Sequence, residues 1–298
     1  MGLPFLKPRL ALATSEGTPS PPRSRRPALV TAAIVWLAIV ALVCILAGWL
    51  AAYDYRAQNL LKRLAPPVFV GGSWANPLGT DQLGRDSLSR LLYAIRFSIM
   101  IALGGTAIGA VLGTLLGFLA AHFRGWVEET IMMLADVQAS LPYLIIALAA
   151  IAIFGSDVRV FVLIMGFFGW ETFARLARGM VLSANEQGYA SAVVAIGGTP
   201  RYIYWRHILP NILSVLVVQF TLNFPQVILL ESSLSFLGLG IRPPLTSLGQ
   251  MLGDGRAYLI NAPWMAVIPG LVIFLTTMAI SSLGDWLRDR LDATLQGV

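Results

Sequence analysis

Between Arg96 and Arg124 the chain reads FSIMIALGGTAIGAVLGTLLGFLAAHF (residues 97–123), without one Asp, Glu, Lys or Arg. At a helical rise of about 1.5 Å per residue, this run exceeds the roughly 30 Å hydrocarbon core of a bilayer. Gly105, Gly109, Gly113 and Gly117 recur every fourth residue and, beside Gly104, form a smooth stripe on one helix face. Small-residue stripes of this kind let helices pack closely in lipid. The run reads as a membrane-spanning helix with a packing face, and it sets the fold class: an all-α, polytopic membrane protein.

Composition agrees. Of 298 residues, 57% are hydrophobic and only 12% charged, and the mean hydropathy is +0.74. A soluble protein of this size could not bury so much apolar surface, so the bilayer is the solvent for much of the chain. Disorder, collagen-like repeats and disulfide scaffolds are excluded. A single cysteine, Cys44, can form neither an intrachain disulfide nor a thiolate metal cluster. The net charge of +6 is carried almost wholly by arginine, since Lys7 and Lys62 are the only lysines. In a membrane protein such an excess faces the cytoplasm or lipid phosphates, and nucleic acid is not the expected partner.

Working outward from residues 97–123, the pattern predicts about six transmembrane helices. Residues 28–53 form the first, too long for the h-region of a cleaved signal peptide. Residues 1–27, rich in Pro, Ser and Arg, are expected to be a disordered cytoplasmic N-terminus. A third span lies within residues 131–156 and contains Asp136 and Pro142. The fourth runs from Val160 through Glu171 and Arg175, which stand four apart on one helix face and can pair. The fifth, residues 211–230, carries Gln219, Asn223, Pro225 and Gln226, polar positions suited to a bundle interior or pathway. The sixth lies in residues 257–284, with Pro263 and Pro269 near its start. This places residues 54–96 in a periplasmic loop, 97–284 in the core with a cytoplasmic loop at about 180–210, and 285–298 in a cytoplasmic tail. An even number of spans puts both termini on one side. With that side inside, Lys7, Arg9, Arg23, Arg25, Arg26, Arg124, Arg175, Arg178, Arg201, Arg206, Arg288 and Arg290 are inner, 12 of the 21 basic residues. The sign agrees with the positive-inside rule.

The chain lacks an engine of its own. A phosphate-binding loop needs a lysine after glycine, but Lys7 follows Leu6 and Lys62 follows Leu61. No cofactor, metal or catalytic residue is expected on this chain. His122 and His207 have neither the spacing of a zinc peptidase nor a place at membrane depth for proteolysis.

The inner loop between the fourth and fifth spans is long for a compact bundle, which marks a functional segment. Tyr189, Ala192, Val193 and Ile196 are spaced as one apolar helix face. Gly197-Gly198 ends that helix, and Thr199 caps a second with Pro200 in its first position. The second helix carries Arg201, Tyr202, Trp205, Arg206 and His207 up to Ile208-Leu209-Pro210. Two short basic, amphipathic helices around a glycine bend form a docking element; an interfacial helix lying on lipid headgroups would look similar. Residues 233–255 mix Leu234, Phe236, Leu237 and Leu239 with Gly238, Gly240, Pro243, Pro244 and Gly249. They cannot form one continuous helix, and irregular backbone near membrane depth survives only inside protein or along a cavity. They are the candidate external gate.

At the inner loop the sequence resembles the permease subunits of ABC importers. Their loop carries Glu-Ala-Ala, three residues, Gly, nine residues, then Ile-x-Leu-Pro. Here Ser191-Ala192-Val193, Gly197 and His207-Ile208-Leu209-Pro210 fill those positions, with Ser191 for the acid and Val193 for the second alanine. Further motifs narrow the resemblance to the C-type permease of the dipeptide/oligopeptide/nickel family. They are Gly79-Thr80-Asp81-Gln82-Leu83-Gly84-Arg85-Asp86 with Leu88-Ser89-Arg90; Leu234-Ser235-Phe236-Leu237-Gly238-Leu239-Gly240 with Pro243-Pro244; and Gly284-Asp285 with Leu287-Arg288-Asp289 and Leu291-Asp292, Ala293 standing where proline is usual. The resemblance covers about residues 29–293. It implies a type I ABC importer permease fold, a second homologous permease, two cytoplasmic ATPase subunits that use ATP and Mg, and a periplasmic substrate-binding protein. Di- or oligopeptides are the implied cargo, with nickel, glutathione or opine-like solutes in relatives. The residues read alone leave open an ion-gradient-driven carrier using Asp136, or Glu171 with Arg175, and a scaffold without transport.

Overall fold

The computed structural model describes residues 28–155, 157–186, 199, 202 and 204–295. Among them there is no strand, only an isolated bridge between Thr80 and Asp86. The helices are α1 (Ala28–Leu50), α2 (Ser87–Phe123), α3 (Gly125–Ser140), α4 (Tyr143–Phe154), α5 (Val158–Gly166), α6 (Trp170–Glu186), α7 (Leu209–Phe236), α8 (Leu248–Gly255) and α9 (Trp264–Leu295). Five segments are long and apolar enough to cross a membrane: α1, α2, residues 158–184, α7 and α9.

The bent pair α3–α4 makes a sixth when its two halves are counted as one span. The expected third span is not straight: the chain turns by 96° between Ser140 and Tyr143. Pro142 supplies the reason, since it lacks an amide hydrogen and disfavours helix at the residue before it. The fourth span is broken too, between Gly166 and Trp170, where Gly169 takes φ +81°. Other boundaries move outward. α2 starts at Ser87 rather than at residue 97, because Asp86 accepts the Ser89 N–H (2.8 Å) as N-cap. The fifth span passes Leu230 and runs to Phe236, because Glu231, the charge that closes the uncharged run, is bonded inside the bundle. The last helix continues past Gly284 to Leu295.

Packing follows the glycine stripe. A Cβ at Gly105 would lie 2.6 Å from Met165, at Gly113 2.2 Å from the Trp170 carbonyl, and at Gly117 2.5 Å from the Ala174 carbonyl. At Gly109 it would meet the Phe168 and Gly166 carbonyls at 3.0 and 3.1 Å. The stripe is therefore the groove that receives α5, the break and α6, as the four-residue period predicts. α1 is apolar all round and buries only Val30, Ala33, Val40 and Ala47. Most of its surface is left for lipid, and the Trp36 indole N–H bonds Thr276 Oγ1 on α9 (3.1 Å).

Candidate functional site

α2 is the axis on which the site is built. At about 1.5 Å per residue, Arg90 near its start and His122 near its end stand roughly 48 Å apart, beyond the hydrocarbon thickness.

At the α2 start, the segment Gly79–Asp86 with Arg90 forms a folded clasp. Asp81 Oδ1 accepts the Leu83 and Arg85 N–H groups at 2.8 and 2.9 Å. Its Oδ2 takes Arg85 Nε (2.6 Å) and Arg90 Nη1. Arg90 Nη2 reaches Asp254 Oδ2 on α8 (3.0 Å), and Asn76 Nδ2 donates to Asp86 Oδ1 (2.9 Å). Gly84, at φ +70°, leaves room for the Asn59 carbonyl, which a Cβ would approach to 1.8 Å. Arg90 and Asp81 are buried, so the pair is shielded from solvent screening.

Next to the clasp stands a site that sequence reading missed. Glu231 is fully buried. Ser98 Oγ donates to its Oε2 (3.1 Å) and Ser235 Oγ to its Oε1 (2.8 Å), with Ser232 Oγ at 3.4 Å. Ser98 Oγ also accepts the Leu248 N–H (3.0 Å), while Ser247 Oγ caps α8 by accepting the Gln250 N–H (3.1 Å). The network joins α2, α7 and α8. Its one sequence signal was an acid inside an apolar run, which reads first as the end of a span.

The candidate gate residues surround this network without forming one surface. Leu234 is buried at the end of α7, and Phe236 lies under the Arg256 guanidinium (5.5 Å). Leu237 is exposed, Gly238 has φ +81°, and a Cβ on Gly240 would lie 1.9 Å from Ser235 Oγ. Pro243 and Pro244 are exposed on the connection to α8. The stretch is helical to Phe236, irregular to Ser247, and helical again from Leu248.

At the other end of α2, Tyr189, Ser191, Ala192, Val193, Ile196 and Gly197 lie outside the described residues. Further along the loop, Thr199 Oγ1 accepts the Tyr202 N–H (3.4 Å), as its expected cap role requires. Tyr204–Ile208 forms a π-helical turn that leads into Leu209 and Pro210 at the head of α7; His207 is described in its backbone alone. Ile208 is buried with Ala121, Phe173, Val181, Ala184 and Ile212. The Tyr204 hydroxyl stands 3.3 Å from His122 Nδ1, and burial pushes that phenol above its ordinary range. Leu209 is half-buried and Pro210 exposed. One patch thus ties this segment to α2, α6 and α7.

The expected Glu171–Arg175 pair does not form. Arg175 Nη1 bonds Asp136 Oδ1 on α3 (3.2 Å), and Glu171 Oε2 accepts from Gln138 Nε2 (3.0 Å). Of the polar residues in the fifth span, Asn223 is buried against Gly169 and Gln226 is exposed.

A bundle of broken and unbroken apolar helices, tied by ion pairs at one end of α2, is the architecture of a polytopic helical membrane protein. Residues 113–296 match the family model described as binding-protein-dependent transport system inner membrane component, and residues 23–67 that of the N-terminal TM domain of oligopeptide transport permease C. The chain is 38% identical over 275 residues to the glutathione transport system permease protein GsiD of Escherichia coli (strain 536), covering 92% of this chain and 89% of that one. Against the protein of the same name from Pectobacterium atrosepticum, identity is 38% over 253 residues, with 83% and 84% covered. The inward-facing MetNI methionine ABC transporter superposes with a TM-score of 0.54 over 67% of this chain and 95% of its own, at 21% identity, a likeness of fold. The chain belongs to the binding-protein-dependent inner-membrane permeases of ABC importers, in their peptide/nickel branch. It is a multi-pass inner-membrane transport subunit of an ATP-driven importer, not an ion-gradient-driven carrier.

Proposed function

We propose that this chain forms half of a translocation pathway for short peptides, glutathione among them. The other half is a second homologous permease. Two cytoplasmic ATPase subunits supply ATP- and Mg-dependent work, and a periplasmic binding protein delivers the cargo. The likeness to GsiD over nearly the whole chain supports the cargo class, since glutathione is itself a tripeptide. The basic-residue distribution supports cytoplasmic termini and a periplasmic clasp.

The observation that carries the mechanism is the burial of Ile208 among Ala121, Val181 and Ala184. An ATPase closing on residues 189–210 would push that patch, and α2, α6 and α7 would move with it. Cores are close-packed and transmit strain rather than absorbing it. At the far end, residues 233–255 would act as the external gate, held by the Glu231 network and the clasp.

Two experiments test this. Proteoliposomes holding the four-subunit complex, with loaded binding protein outside, should take up labelled glutathione on ATP addition after ion gradients are collapsed. Absence of uptake for glutathione and for di- and tripeptides alike would refute the cargo class. In a Cys44→Ala background, Asn59→Cys and Ala75→Cys should react with an impermeant thiol reagent from the periplasm; labelling only from the cytoplasm would invert the orientation.

A further inference from the structure

The two broken spans break beside each other, and a carboxylate sits between them. The interruption at residues 167–169 lies against Gly109, at the middle of the uncharged run 97–123 of α2. The bend after Ser140 is tied to it by one side chain, Gln138. The Gln138 amide Nε2 donates to the Phe167 carbonyl (2.8 Å) and to Glu171 Oε2 (3.0 Å), and its Oε1 accepts the Trp170 indole N–H (2.5 Å). The indole fixes which way the amide faces, and the amide holds the carboxylate. Thr172 Oγ1 touches the other oxygen at 3.4 Å.

Three observations give this arrangement a direction. Among the described residues no cation pairs with Glu171, because Arg175, one turn along α6, is taken by Asp136. The surface is open in this chain: the Asp136 side chain is 73% exposed and that of Arg175 41%, while Phe167, whose carbonyl shares the Gln138 amide with Glu171, is 54% exposed. Charged side chains at this depth do not face lipid; they face a bundle interior or a water-filled path. Broken helices in a membrane are likewise tolerated where they line such a path. A positioned carboxylate next to an exposed aromatic residue matches a primary ammonium group, which the carboxylate pairs and the ring face attracts.

We propose that Glu171, set by Gln138 and Trp170 where the two broken spans meet, is a cargo-contacting carboxylate of this half of the pathway, accepting the α-ammonium group of a peptide as it crosses. The proposal rests on the peptide-import reading above and assigns that reading a place in the membrane.

The test uses the assembled complex with its binding protein. Glu171→Gln keeps the size and hydrogen-bonding capacity of the side chain and removes its charge. It should lower the maximal rate of ATP-driven glutathione uptake at least tenfold, and Glu171→Asp should retain a substantial part. In a Cys44→Ala background, Glu171→Cys should react with a cationic methanethiosulfonate at least tenfold faster than Val111→Cys, which stands at the same depth on an apolar face. That reaction should slow when loaded binding protein and ATP are supplied. Wild-type uptake by Glu171→Gln overturns the proposal. So does Glu171→Cys unreactive with and without nucleotide, which would make this face a contact with the second permease. Failure of the unsubstituted complex to import any peptide would instead sink the cargo reading, while the labelling still reports whether residue 171 meets water.

Discussion

Arg90 and Asp254, 164 residues apart in the chain, are joined by a 3.0 Å hydrogen bond from Nη2 to Oδ2. Through it the head of α2 is tied to the end of α8, with Asp81 gripping the other Arg90 nitrogen. Removing one partner of a buried pair leaves an uncompensated charge, at about 3–5 kcal/mol. Arg90→Met should therefore lower the melting midpoint of the purified permease sharply. Asp254→Asn should cost less, because that carboxylate is 26% exposed and Arg90 keeps Asp81. Scanning fluorimetry checks the order; equal midpoints for wild type and Arg90→Met would mean that the clasp bears no load.

Two glycines, Gly113 in the α2 stripe and Gly179 on α6, give substitutions of opposite sign. Gly113→Val drives a side chain into the Trp170 carbonyl and should destabilise by about 1–3 kcal/mol or more. Gly179 lies inside α6 with nothing within 4 Å of a built Cβ. There Gly179→Ala should stabilise by roughly 0.5–1 kcal/mol, the entropy a helical glycine loses. The same melting measurement decides both, and a stabilising Gly113→Val would remove α6 from that groove.

For the loop at residues 189–210, Gly197→Val is expected to strain the backbone by more than the about 1–2 kcal/mol expected for alanine, so that docking weakens beyond the roughly 5–30-fold to which that range corresponds. Ala192→Glu should act alike by placing an unpaired charge in the interface. Both variants should insert and pair with the second permease, yet lose uptake and cargo-stimulated ATP hydrolysis together. Uptake lost with stimulation intact would move the coupling surface elsewhere.

Between α7 and α8, Gly238 has φ +81° and open space around it, so a substitution there strains the backbone without a clash. Gly238→Val should slow uptake severalfold while co-purification with the ATPase subunits is unchanged. Full uptake by this variant would remove residues 233–255 from the gate.

Much of the fold was legible along the chain because its causes are local. Residues 97–123 had to span, since rise per residue and bilayer thickness fix the length that crosses. The four-residue glycine period named a packing face, and the structure seats α5 and α6 on it. Thr199 was readable as a cap because capping is decided within three residues. Partners in space were not readable. Glu171 and Arg175 have pairing distance along a helix, yet each is claimed by α3, through Gln138 and Asp136.

The sequence by itself determined the all-α membrane class, the packing face of α2 and the irregular stretch within residues 233–255, all of which depend on neighbours in the chain. Only the tertiary structure decided that Glu231 sits within α7 rather than at its end, because its stability there depends on Ser98 from a helix 133 residues away. It also decided that two separate spans break at one level and that Arg90 closes on Asp254. A buried charge is admitted only where packing brings it a partner, and packing is not written in any one stretch of the chain.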